Sequence, residues 1–461
     1  SLDSPSVMPP AEALLGWQVF DRLADAALDA AADAAAVEVL LQRDWGGLTR
    51  FANSQIHQNV WAEDLTARVR VVTDDGRVGV AGTHTFDPAD VAAAAGDALA
   101  LARVSPQDPE FPGLAGAAEA MGVPVDDATL WLTPADRAAA VAALLAEVPP
   151  DYDAAGAYST GGSERAVVTS EGQRAYAPLS SAQLTVVVMG PSSSGYAEAG
   201  GRSVEDVDAV AAARTAVTKA RAAADPVEVA PGPSPVVLEP AATAALVQFL
   251  AYLGFGGRDW LEGRAFTSQR LGDKVVDPKV TVVDDARAPQ TVGFPFDCEG
   301  TPKQRVELIR EGVATAVVHD RHTAARARTE STGHGLPAPN PHGPMATNPI
   351  MLPGEDGSVE DLVAGTERGL LITRLHYTNV VHPLETSITG MTRDGTFLIA
   401  DGAVTRAVRN LRFTQSILEA LAEVEAVSSQ TAFASELFFG GSRCPGVRLP
   451  ALHFTATTTF G

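Results

Sequence analysis

The chain has 461 residues, with 57 acidic against 34 basic side chains and a formal net charge of −23 at pH 7. A polyanion of this kind is repelled by phosphate backbones and anionic lipid, which weighs against nucleic-acid or membrane-surface binding. A hydrophobic content of 46% and a charged content of 20% exclude a disordered chain and leave core enough for two or three domains.

The opening residues, SLDSPSVMPP, show no basic, apolar and cleavable leader. The two cysteines, Cys298 and Cys444, are too few for a disulfide framework. Both observations lead to the expectation of reduced thiols in a cytoplasmic protein. Residues 11–34 are Ala-rich with an apolar cluster from Leu14 to Leu23, which predicts a helix. "VEVLLQRDWGGLTRFANSQIHQNV" reads as two β-runs around a turn at Gly46-Gly47. "LTARVRVVTDDGRVGVAGTH" alternates Ala67, Val69 and Val71 with polar neighbours and turns at Asp75-Gly76. A second helix follows Asp87-Pro88.

Beyond a Pro/Gly-rich link (105–125), Thr133 as N-cap and Pro134 at the first helical position begin another helix. Strands follow over about 153–193, then a helix over 203–223. This second unit repeats the content of the first. "PVEVAPGPSPVVLEP" (226–240) marks the clearest boundary. The remainder carries many short β-runs, the most legible being two strands around Asp401-Gly402, with helices expected near 241–252, 302–310 and 414–423. The expected fold class is α+β. It comprises an N-terminal α+β domain (1–112), a middle α+β domain (125–226) and a large, irregular, mainly antiparallel β domain (234–461). The longest apolar run, "PAATAALVQFLAYLGFGG" (240–257), stops short of the roughly 20 residues a membrane helix needs and reads as a core helix.

No phosphate loop, G-x-S-x-G elbow, C-x-x-C pair or H-E-x-x-H helix occurs. His319 and His322, in "HDRH", read as part of a solvated helix beside Asp320. His376 and His382 are an even number apart, so on one strand both face one side, roughly 20 Å apart and too distant to share a metal ion. They read as ordinary hydrogen-bonded histidines, with a cleft-lining role as the alternative. His334 and His342 flank "GLPAPNP", a loop in which either is readily solvated. Asp297 and Glu299 read as surface acids that raise the pKa of Cys298 between them and leave it inert. Cys444, between a glycine pair and Pro-Gly, is placed as a ligand or nucleophile, although such a thiol is more often a small buried hydrophobe.

Several segments together resemble the TldD/PmbA family of two-subunit metallopeptidases, also described as modulators of DNA gyrase. They are "LTRFANSQIHQNV", "VTVVDD", "FDCEGTPKQRVELIREGV", "TGHG", "TNPIMLPG" and "TSITGMTRDGTFLIADGAVTRAVRNLRF", in that order over most of the chain. The resemblance implies a peptidase built from two related subunits. The TldD-type subunit carries an H-E-x-x-x-H helix after the first strand of its C-terminal domain, and a later cysteine completes its zinc site. Here "AATAALVQFLAYLGFGGR" stands between "PVVLEP" and "DWLEGRAF" and has neither histidine nor glutamate. The resemblance therefore implies a TldE/PmbA-type subunit with no catalytic residue and no metal ligand of its own. Zinc would be held by a TldD-like partner chain, and the substrate would be a peptide or a small amide intermediate of natural-product biosynthesis. His376, His382 and Arg393, in "HYTNVVHP" and "ITGMTRDG", are the expected substrate-cleft residues, meeting an extended peptide by strand addition. Two alternatives stand beside it. One is a homodimeric hydrolase using Cys444 with His376, His382 or His453 as base, and the other a peptide-binding protein without catalysis.

Overall fold

The computed structural model describes residues 13–458 apart from 290, 438 and 439. The opening stretch read for a leader, the first two residues of the helix expected over 11–34, and the phenylalanines preceding the glycine pair near Cys444 lie outside the described residues. The N-terminal half contains α1 (Trp17–Ala30), β1 (Ala36–Ala52), β2 (Gln55–Val72), β3 (Val78–Thr83), α2 (Pro88–Val104), α3 (Asp127–Leu130), α4 (Pro134–Ala146), β4 (Asp153–Thr169), β5 (Arg174–Met189), β6 (Ser194–Gly201) and α5 (Ala209–Ala222). The strands form one six-stranded antiparallel sheet, ordered β3-β2-β1-β4-β5-β6. Each half of it is a three-strand meander bracketed by helices, and the halves meet at the β1–β4 pair, where Glu38 lies opposite Thr169 and Phe51 opposite Gly156. The first two expected units are thus halves of a single sheet.

Local chemistry sets these elements. Thr133 accepts a hydrogen bond from the Asp136 N–H, and Pro134 opens α4. Gly76, at φ 77°, turns β2 into β3. The pair Gly46-Gly47 is not a turn. β1 runs unbroken through it and reverses at Asn53 and Ser54, both in the left-handed region at φ 50° and 54°. A Cβ on Gly47 would stand 1.8 Å from the guanidinium of buried Arg137, so the glycine serves a close approach inside a strand. Alternation does the rest. Val37, Val39 and Leu41 of β1 and Val69 and Val71 of β2 pack under α1 and α2, and Leu184, Val186 and Val188 of β5 pack under α4 and α5. On the helix side the fully buried Arg43 meets Glu164 at 3.0 Å and Glu63 at 2.5 Å. Glu164 also accepts from the N–H of Gly16 and from the Tyr176 hydroxyl, which ties α1 to β4 and β5.

The C-terminal half contains β7 (Gly232–Leu238), α6 (Pro240–Gly254), β8 (Val282–Asp284), β9 (Val306–Arg310), β10 (Val313–Ala314), β11 (Pro349–Met351), β12 (Arg368–His382), β13 (Ser387–Ala400), β14 (Ala403–Ala407), β15 (Leu411–Ser416), β16 (Ala426–Ala434) and β17 (Ser442–Thr457), in an eleven-stranded sheet. Because β7 pairs with both β12 and β17, strands β7, β12, β13, β15 and β17 close into a ring. The apolar helix α6 packs on β12, β16 and β17 at the centre of the largest core cluster. Two helix expectations are corrected. Residues 306–310 are strand β9, paired antiparallel with β8 and β10, with Val306, Leu308 and Ile309 buried. Residues 414–416 end β15, and the helix expected over 414–423 is reduced to a single turn at Ile417–Ala420. The architecture is α+β, and among the described residues no helix is long and apolar enough to cross a membrane.

Removing one partner from a buried ion pair leaves the other charge uncompensated. The substitution Glu164→Gln is therefore expected to lower unfolding stability by roughly 3 kcal/mol in urea titration.

Candidate functional site

The face of the six-stranded sheet opposite the helices turns toward the C-terminal half and encloses a cleft of about 860 Å³. One wall follows from strand alternation: Gln42 and Asp44 of β1, Ser163 and Arg165 of β4, and Ser181 and Gln183 of β5 all point into it. The other wall is assembled from loops that run between the short strands. It includes Phe294, Phe296, Lys303, His334 and Asn348, while Tyr252 enters from the end of α6.

The polar groups of the cleft form two networks. On the sheet wall, Arg165 Nε donates to Gln42 Oε1 at 2.9 Å, Gln42 Nε2 donates to Asp44 Oδ2 at 2.8 Å, and the Ser163 hydroxyl also donates to Asp44. The Arg165 guanidinium lies 4.0 Å from the ring centre of Phe294, stacked across the cleft. On the loop wall, His334 Nε2 meets Asp284 Oδ1 at 2.8 Å, and Lys303 Nζ donates to Thr347 Oγ1 at 2.9 Å with Asp284 3.9 Å away. Burial lowers the His334 pKa despite Asp284, so the imidazole is neutral near pH 7. Asp284 is also fully buried, but Lys303 and His334 hold its carboxyl below the usual value.

Behind the cleft, a second cluster joins the halves. Arg70 of β2 reaches Glu38 at 2.5 Å and Glu299 at 3.5 Å, and the Arg321 N–H donates to Glu299 at 2.9 Å. Burial, and then the neighbouring Asp297, push the Glu299 carboxyl up to about 8. Burial also raises Asp297, although its carboxyl accepts the N–H groups of Gly335, Thr301 and Glu299. These two acids are interior groups, not the surface acids their sequence context predicted. Cys298 is buried beside them, and burial is the first cause of its raised pKa.

The remaining expected residues are dispersed. His376 is half-buried on β12 with its ring 4.4 Å from that of Tyr377, and His382 is exposed at the far end of that strand. Irregular register between His376 and His382 interrupts the alternation that placed them on one face. Arg393 lines a smaller cavity of about 450 Å³ with Met189, Ser192 and Asn410. None of these three lines the 860 Å³ cleft. His319 is buried and bonded to Thr323 instead of solvated, and His334 is fully buried, whereas His322 and His342 are more open. The residues that do converge, Asp284, Asp297, Lys303, His334 and Asn348, all come from the four short segments between residues 280 and 354 on which the family resemblance rests.

The resemblance implies that the TldD-type subunit carries its zinc ligands at the position of α6. In this chain the buried positions of α6 are Ala, Leu, Val and Phe apart from Thr243 and Gln248. The Gln248 amide is engaged by the Ala434 carbonyl and the Leu437 N–H. Cys444 is fully buried, its sulfur lies 3.3 Å from the Ser442 hydroxyl, and burial pushes its thiol up to about 11, against the thiolate a metal requires. Among the described residues no cluster of three or more His, Cys, Asp or Glu side chains is arranged to hold an ion. The residues present on and around α6 do not fit zinc.

Residues 231–456 match the PmbA/TldA metallopeptidase C-terminal domain and residues 37–102 match domain 1 of the same proteins, together well over half of the chain. Fold and sequence thus define a metallopeptidase-type protein. The chain belongs to the PmbA/TldD family. It superimposes on TldE from Thermococcus kodakarensis with a TM-score of 0.86 over 94% of this chain and 100% of that one, at 19% identity, a likeness of fold. A metalloprotease TldD homologue of Haemophilus influenzae is 27% identical over 56% of this chain and 54% of its own length. A metalloprotease of Methanocaldococcus jannaschii is 28% identical over 36% of this chain and 37% of its own. The chain therefore spans about half the length, or less, of the curated relatives it matches.

A carboxyl whose folded pKa is raised binds more protons folded than unfolded, from about 4.3 up to its raised value, so it removes stability as pH climbs through that window. Glu299→Gln imitates the protonated acid. Unfolding midpoints of wild type and variant are expected to coincide at about pH 4 and below, with the variant pulling ahead as pH climbs from there to about 8 and the gap staying level above it.

Proposed function

We propose that the chain is the non-zinc-binding subunit of a heteromeric TldD/TldE-type metallopeptidase. The carrying observation is α6, which follows β7 where the resemblance implies a zinc helix in the TldD-type subunit, and which is apolar and enclosed. A TldD-like partner would bind the zinc, which activates water and polarises the scissile carbonyl when bound. This chain's own part is to keep a rigid, apolar helix where the active subunit carries ligands, and to supply a wall of the substrate chamber. The substrate is a peptide or a small amide, and the compartment is the cytoplasm. A stand-alone cysteine hydrolase is disfavoured by the burial of Cys444. His453 lies nine residues further along the same strand, roughly 30 Å away in an extended chain and out of proton-transfer reach. A binding protein without a catalytic partner remains the second reading, favoured by a cleft formed entirely within this chain.

Co-expression with a TldD-type homologue encoded beside it is expected to yield a complex on the tagged chain, with zinc and hydrolytic activity arriving only with the partner. Metal analysis of the purified chain alone is expected to find no stoichiometric zinc. Persistent failure to retain such a partner turns the reading toward the binding protein. Cys444→Ala is expected to leave hydrolysis by the complex within about twofold of wild type while costing about 1 kcal/mol of stability as a small core truncation. Loss of activity in a folded variant would restore the cysteine-hydrolase alternative.

A further inference from the structure

Although the chain as a whole is strongly acidic, the cleft between the sheet and the loop wall sets two cations, Arg165 and Lys303, against two carboxylates, Asp44 and Asp297. Both carboxylates are already engaged. Asp44 accepts from Gln42 and Ser163, and Asp297 accepts three backbone N–H groups, from Gly335 at 2.7 Å, Thr301 at 2.9 Å and Glu299 at 3.0 Å. The cations are not saturated. Arg165 donates only through Nε, to Gln42, so both terminal guanidinium nitrogens retain their donors. Lys303 donates to Thr347 at 2.9 Å and, at the edge of hydrogen-bond length, to Asn348 at 3.4 Å, with Asp284 beside it as an ion-pair partner at 3.9 Å, beyond hydrogen-bond length, so an ammonium donor is left for a ligand. Both cations flank the 292–298 loop. Arg165 stacks on Phe294, and the Lys303 backbone N–H donates to the Pro295 carbonyl at 2.8 Å. Between and beyond them the walls are apolar, from Phe294, Phe296, Leu336, Met345 and Tyr252.

We propose that this cleft binds a free carboxylate attached to an amide-flanked apolar side chain, with Arg165 and Lys303 gripping the carboxylate and the phenylalanines receiving the side chain. Free planar donors beside an aromatic platform suit a carboxylate, and charge-assisted hydrogen bonds inside a largely enclosed site are stronger than their exposed counterparts. The C-terminus of a short peptide and an N-acyl amino acid share this chemistry. The site is made from this chain's residues alone and needs no partner subunit. Its failure would leave the heteromer reading standing, and failure of that reading would leave this site standing.

Calorimetric titration of the full chain with Ala-Ala-Phe, its C-terminal amide and N-acetylphenylalanine tests the proposal. The free acids are expected to bind about tenfold or more tighter than the amide, the loss expected when a charged partner is removed. Binding of the tripeptide alone identifies a peptide terminus, and equal binding of N-acetylphenylalanine identifies the smaller acylamino acid. Arg165→Met and Lys303→Met, each checked for an unchanged fold by circular dichroism, are expected to erase most of the acid-over-amide preference. Equal affinity for acid and amide in the wild-type chain, or no heat from either acid at millimolar concentration, overturns the proposal. So does a preference that survives in both variants.

Discussion

Arg70 is the interior cation on which the arrangement of the two halves depends. It projects from β2 between Glu38 on the neighbouring strand and Glu299 on a loop of the C-terminal half, with Asp297 two residues further along that loop. Two acids against one arginine, with a third beside them, are unfavourable in a buried setting without further partners. Glu299 takes the Arg321 N–H and Asp297 takes three backbone N–H groups, so the loop is fixed by the same bonds that satisfy its charges. Gln173 and Arg202 add bonds from the sheet to the Gly300 and Ala286 carbonyls. These contacts hold the sheet wall and the loop wall of the cleft at a fixed separation.

The same logic explains why α6 is so plain. A helix buried on nearly every side has little use for an amphipathic stripe, and its polar residues must find partners or be absent. Thr243 bonds back to Glu239, and Gln248 pins the chain at Ala434 and Leu437. The helix contributes rigidity to the ring of strands and a single aromatic, Tyr252, to the cleft.

Much of this was open to reading from local chemistry. The cap at Thr133, the turn at Asp75-Gly76, the hairpin at Asp401-Gly402 and the two Ala-rich helices α1 and α2 are decided by a few neighbouring residues. Local signals failed where a distant contact overruled them. Gly46-Gly47 has turn composition, but Arg137 needs the space above Gly47, so the pair lies flat in a strand. Asp297 and Glu299 look like two more acids in an acidic chain, and their interior partners, Arg70 for Glu299 and the Gly335 N–H for Asp297, come from distant segments that no local pattern reveals.

The sequence by itself determined the α+β class, the boundary near residue 230, the family and the absence of imidazole and carboxylate from α6, because each depends on residue type and short-range order. Only the tertiary structure decided that the first two units share one sheet, that Cys444 is sealed in the core, and that Lys303, His334 and Arg165 border one cleft. Those outcomes depend on strand pairing and packing between segments far apart in the chain, where burial and charge compensation outweigh anything a local pattern carries.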